Sequence, residues 1–169
     1  MKSLVLPNTV KTIRWWAICG CGKMDSIVIP NSVTSIEGDG IRYCKNLTIY
    51  CEAESEPTGW SSAWNYDDRP VVWGYSSGNH NNNEETPDSD FTFKIIDNNS
   101  AEVTGYTGTE TAITIPQKVE IDGNEYTVTS IGNKAFEGND KLTPPSQEIR
   151  LQPREIPQHH PLAGIRPGR

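Results

Sequence analysis

Aliphatic positions along the first fifty residues follow a fixed order, not a simple helical or strand period. The run Leu4-Val5-Leu6-Pro7-Asn8-Thr9-Val10-Lys11-Thr12-Ile13 returns as Ile27-Val28-Ile29-Pro30-Asn31-Ser32-Val33-Thr34-Ser35-Ile36, an offset of 23 residues. The match continues without a gap, Ile18 falling on Ile41, Cys21 on Cys44 and Met24 on Leu47. A third copy begins at Ile113-Thr114-Ile115-Pro116 and is interrupted by nine residues. It resumes at Val128-Thr129-Ser130-Ile131-Gly132, with Ala135-Phe136 in the slot of Ala17-Ile18.

Within one copy, Met24-x-x-Ile27-x-Ile29 predicts a short strand. Alternate residues of a strand share a face, so Ile27 and Ile29 point to the core and Ser26 and Val28 point out. Pro30 ends the strand because it has no N–H to donate. Val33, Ile36, Ile41, Cys44 and Leu47 then return every three to five residues, the spacing of short turns wrapping one coil. A single coil cannot cover its own apolar residues; they are buried against coils above and below. Two similar β-hairpins are the alternative, and the gapless match disfavours it. The period lies within the ~20–29 residues of leucine-rich repeats. The expected fold is a β-rich repeat protein: a leucine-rich-repeat-like solenoid with parallel strands, in two partial arrays with caps.

The run from Ile29 to Leu47, together with Val128-Thr129-Ser130-Ile131-Gly132-Asn133-Lys134-Ala135-Phe136, resembles the BspA-like leucine-rich repeat proteins, which are surface proteins. The resemblance covers roughly residues 3–75 and 90–143. It implies an extracellular or cell-surface location and a non-catalytic role in adhesion or protein binding, toward an unknown protein or host-surface ligand. Arg14-Trp15-Trp16 departs from the pattern, standing where Gly and polar residues are usual. That turn is expected to be distorted or to carry a local contact surface.

The chain divides by pattern. Residues 1–75 read as the end of an array with a Trp-rich C-terminal cap. The inward position after the strand at 47–51 holds Glu52, and the Ile-Pro pair does not recur. Trp60 and Trp64 are four apart, so a short helix would put both on one face; Val71-Val72-Trp73 reads as a closing strand. Residues 76–88 lack aliphatic side chains and read as a flexible linker. Residues 89–143 read as the N-terminal cap and first repeat of a second array. Within them, Phe91–Ile96 and Ala101–Tyr106 form one predicted hairpin, and Asp122-Gly123-Asn124 turns another. Residues 144–169 carry six prolines, which exclude a propagating strand or long helix, and read as a disordered tail. The whole reads as a piece of a longer repeat protein, with no signal peptide visible at its start.

Composition narrows the function without naming a ligand. The 169 residues are 34% hydrophobic and carry a net charge of −7, which argues against a nucleic-acid surface. No run reaches the ~18 apolar residues of a membrane helix. No nucleophile–base pair or carboxylate pair is legible, so no catalytic residue, cofactor or metal site is assigned. His80, His159 and His160 lie in the linker and tail. Cys21 and Cys44 share a slot in successive coils, which fits either a disulfide or a ladder of small buried thiols. Val5, Ser26, Val28 and Thr114 are the expected ligand-facing positions on the sheet. A structural spacer is the second reading, and carbohydrate binding through Trp60, Trp64 and Trp73 the third.

Overall fold

A computed structural model describes residues 3–76, 86–110 and 112–139. The tail at 144–169, most of the linker, and all three histidines lie outside the described residues. Thirteen short strands are present and no α-helix occurs among the described residues. The first coil carries β1 (Ser3–Val5), β2 (Thr12–Ile13) and β3 (Ile18–Cys19). The second carries β4 (Ser26–Ile29), β5 (Ser35–Ile36) and β6 (Ile41–Arg42). β7 (Thr48–Cys51) and β8 (Val71–Val72) follow. After the linker come β9 (Phe91–Ile95), β10 (Ser100–Tyr106), β11 (Ala112–Thr114), β12 (Lys118–Ile121) and β13 (Asn124–Ile131).

Equivalent slots of the two coils pair in parallel. Leu4 lies opposite Ile27, Ile13 opposite Ile36 and Ile18 opposite Ile41. The corners repeat as well. Val10 N–H donates to Pro7 C=O as Val33 does to Pro30, both at 3.1 Å; Ala17 to Arg14 matches Gly40 to Glu37, and Met24 to Cys21 matches Leu47 to Cys44. The same short strands and tight turns thus recur in both copies, and many of their backbone groups bond to the neighbouring copy. Ile27 and Ile29 are buried while Val28 is partly exposed, as the alternation requires.

One register differs from expectation. From β4 to β7 the offset shortens to 22, pairing Ile27 with Ile49 and Ile29 with Cys51. A one-residue slip exchanges the two faces of a strand. Keeping 23 would bury Tyr50 and Glu52; the observed register buries Ile49 and Cys51. Glu52 accordingly lies outside the core, its carboxylate accepting from Asn31 N–H at 3.1 Å.

The cap also departs from the sequence reading. Residues 60–64 are not helical. Trp60 bridges to Ile36 and Asn65 to Ile41. Ser61 N–H donates to Ile36 C=O, and Ile41 N–H to Trp64 C=O, so these backbone groups serve the adjacent coil and not a helical turn.

The segment after the linker does not stand apart. The five-stranded sheet runs β11-β1-β4-β7-β8, and a second sheet runs β5-β2-β13-β10-β9. β11 pairs in parallel with β1, Ile113 opposite Leu4, and β13 pairs with β2, Ile131 opposite Ile13. The strands assigned from sequence to two partial arrays thus share sheets, with the third copy stacked before the first. The physical cause is slot identity: Ile113, Ile131 and Phe136 present to the first coil the same apolar pattern that the first coil presents to the second. β9–β10 and β12–β13 are antiparallel hairpins, as the turn residues predict. The second turns through Asp122 (φ 52°) and Gly123 (φ 77°), the two left-handed residues that a tight hairpin of this kind requires. One apolar cluster runs from Phe91 to Trp64. At the far end of the segment read as a linker, Thr86 is buried and its N–H donates to Thr114 C=O at 3.0 Å.

Candidate functional site

The outer face of the five-stranded sheet gathers the residues expected to face a ligand. The parallel registers align Thr114, Val5, Val28, Tyr50 and Val72 in one row across all five strands. The next row holds Ala112, Ser3, Ser26 and Thr48. Neighbours within a row sit about 4.8 Å apart, so the first is a continuous ridge of branched and aromatic side chains and the second a trough of small ones. Val28 and Thr114 are partly exposed, but Val5 and Ser26 are only 8% and 4% exposed. Val72, 41% exposed, completes the ridge, and Tyr50 packs against Tyr75 with centroids 4.9 Å apart. Sequence reasoning missed Tyr50 and Val72. An offset of 22 instead of 23 from Val28 puts Tyr50 outward.

The Trp-rich segment is different in kind. Trp60 and Trp64 are 6% and 4% exposed, and Trp73 packs against the core. Their rings face one another, with centroids 4.8, 5.9 and 6.3 Å apart. Both buried indole N–H groups are committed: Trp60 to Val33 C=O and Trp64 to the Glu56 carboxylate, each at 3.1 Å. A sugar platform needs exposed faces, and Trp60 and Trp64 offer almost none; Trp60 and Asn65 instead bridge to Ile36 and Ile41 of the preceding copy.

Exposed aromatics lie on another edge, at the turns following β2 and β6. Trp15, Tyr43 and Tyr66 are each more than half exposed. The Arg42 guanidinium lies 4.1 Å from the Tyr43 ring centroid, 4.5 Å from Tyr66 and 5.1 Å from Trp16, and Lys134 lies 4.8 Å from Trp16. Asp39 pairs with Arg42, and Asp67 accepts from the Tyr43 N–H. The unusual Arg14-Trp15-Trp16 turn is thereby explained in part. Arg14 reaches the buried Glu102 carboxylate and Glu37, Trp16 adopts φ 54°, and Trp15 remains open. Glu102 also accepts from the Ser130 hydroxyl at 3.0 Å. Its hydrogen bond holds the Arg14 guanidinium above the ordinary arginine value.

All four cysteines are buried thiols outside any disulfide. Cys21 donates to Phe136 C=O at 3.0 Å, and Cys44 contacts the carbonyls of Arg42 and Ile18 at 3.4 and 3.7 Å. The hydrogen bond with Cys21 lowers the Cys44 thiol, and burial pushes Cys51 up to about 12. A ladder of small thiols, not a disulfide, fills this slot. Among the described residues no three His, Cys, Asp or Glu side chains are grouped to hold a metal. No helix of the described residues is long and apolar enough to cross a membrane.

Residues 1–56 match the family model described as a BspA type leucine rich repeat region (6 copies). This third of the chain is similar to BspA-type leucine-rich repeats. The matched residues contain both gapless copies, the strands β1, β4 and β7, and three of the five ridge positions. No curated protein and no solved structure matches the chain.

Proposed function

We propose that the chain is a non-catalytic leucine-rich-repeat solenoid module of a secreted or cell-surface protein, and that it binds another protein through the outer face of its five-stranded sheet. The supporting observation is the ridge Thr114–Val5–Val28–Tyr50–Val72, a rigid row with its partly open side chains at both ends and at its centre. Aromatic and apolar anchors on a pre-ordered surface carry most of the energy of protein contacts. Residues 1–75 and 89–143 then act as one capped stack, and adhesion is the role in keeping with the BspA-type repeat. The spacer reading draws support from the shielding of Val5 and Ser26, which reduces the area on offer.

The test is binding of the purified chain to immobilised extracellular-matrix proteins and to intact cells, beside a Val28→Asp/Tyr50→Ala variant that keeps the parent's melting temperature. Saturable binding lost in the variant supports the reading. Absence of binding on every surface supports the spacer. Binding unchanged by the variant but abolished by Trp15→Ala would move the contact to the Arg42 edge.

A further inference from the structure

We propose that residues 86–139 are an exchangeable closing module: they cover the β1 face of their own chain, and they cover that of a second copy when their tether is too short. The proposal rests on the stacked-coil reading above. It starts from where the linker begins and ends. Tyr75 N–H donates to Cys51 C=O, which places Tyr75 beside β7 at the level of β8. Thr86 N–H donates to Thr114 C=O, beyond β11 at the opposite edge of the same sheet. In the order β11-β1-β4-β7-β8 these points are five strand spacings apart, about 24 Å. Eleven peptide steps from residue 75 to residue 86 reach at most about 36–40 Å. Closure within one chain is therefore allowed.

The covered face is apolar, and any copy of residues 86–139 carries the groups that fill it. Leu4, Ile13, Ala17 and Ile18 are fully buried only because a coil lies on each side. Ile113, Ile131 and Phe136 supply the upper side, with Ile115 N–H donating to Val5 C=O, Phe136 N–H to Ala17 C=O at 2.9 Å and Gly138 N–H to Cys19 C=O at 2.7 Å. The Arg14–Glu102 ion pair locks the same junction. None of these contacts depends on the two partners being the same molecule. Each chain carries one such donor segment and one such acceptor face, so reciprocal exchange between two copies leaves neither unpaired. A short tether gives an effective concentration of order mM, which keeps the intact chain closed on itself in dilute solution.

Deleting residues 79–84 from the full chain leaves five peptide steps between 75 and 86, about 18 Å at most, too short for the 24 Å span. Carrying Ser3→Cys and Ala112→Cys, which are register partners, this variant is expected to run at twice the monomer mass and to form an intermolecular disulfide on mild oxidation. The same cysteine pair in the undeleted chain should link within one molecule. Absence of that internal link would refute the β1–β11 stacking itself. With that link present, a deleted variant that stays monomeric, linked or unlinked, would overturn the exchange. Should the deleted variant precipitate, two undeleted chains, one with Ser3→Cys and one with Ala112→Cys, are unfolded together and refolded at rising concentration. A disulfide between the two chains that increases toward the mM range supports exchange, and none at any concentration refutes it.

Discussion

Replacing Trp60 separates a structural cap from a ligand platform. The indole is 6% exposed, its N–H donates to Val33 C=O at 3.1 Å, and its ring meets Trp64 nearly edge-on at 4.8 Å. Truncating a buried Trp to Ala costs roughly 3–5 kcal/mol in transfer and cavity terms. The lost ring pair adds about 0.5–1.5 kcal/mol, and an unmet buried carbonyl about 1–3 kcal/mol. Discounting for relaxation, Trp60→Ala is expected to cost about 5 kcal/mol, against the ~5–15 kcal/mol that holds a whole domain. At about 2–4 °C per kcal/mol for a chain of this size, melting should fall by roughly 10–20 °C. Trp60→Phe keeps most of the ring and loses the donor, so it should cost about 2 kcal/mol. The assay is thermal and urea unfolding followed by far-ultraviolet circular dichroism. Trp15→Ala at the exposed edge serves as the control, with an expected cost near 1 kcal/mol or less. A Trp60→Ala protein melting within about 2 °C of the parent would refute the cap assignment.

Ile29→Asp puts a carboxyl where the side chain is fully buried and should prevent folding, whereas Val28→Asp on the outer row should be tolerated within about 1 kcal/mol; equal effects would contradict the alternation. Gly123→Ala should cost about 1–2 kcal/mol by denaturant titration, entirely from its φ of 77°, because nothing lies within 4 Å of the added carbon. Burial raises the Cys51 thiol from 9.0 to about 12, so the folded chain keeps a proton that the unfolded chain releases. Its contribution is complete below pH 9 and falls by about 1.4 kcal/mol per pH unit between 9 and 12, and Cys51→Ala should flatten the stability profile over that window.

How far the sequence spoke for the structure depended on the range of the interaction. The slots of Ile27, Ile29, Val33 and Ile36 were legible because each copy repeats the same local demand for burial. The Asp122-Gly123 turn was legible because left-handed backbone selects those residues. The slip at β7 was hidden: Leu47-x-Ile49-x-Cys51 differs from Met24-x-x-Ile27-x-Ile29 by one residue, and only burial of Ile49 over Tyr50 decides between them. That slip also concealed Tyr50 and Val72 from the candidate surface. The spacing of Trp60 and Trp64 suggested a helix, but spacing says nothing of backbone groups already bonded to Ile36 and Ile41. The order of the stack was least legible. Copies with matching slots can stack in any sequence order, and the Arg14–Glu102 pair joins positions 88 residues apart.

The central claim is that three repeat copies stack in parallel, the third against the first. Interstrand contacts in nuclear Overhauser spectra of the labelled chain test it most directly. The account predicts backbone contacts of the parallel pattern linking Ile113 to Leu4, Leu4 to Ile27 and Ile27 to Ile49. Antiparallel contacts between residues 3–5 and 26–29, or β1 with no partner in 112–114, would contradict it.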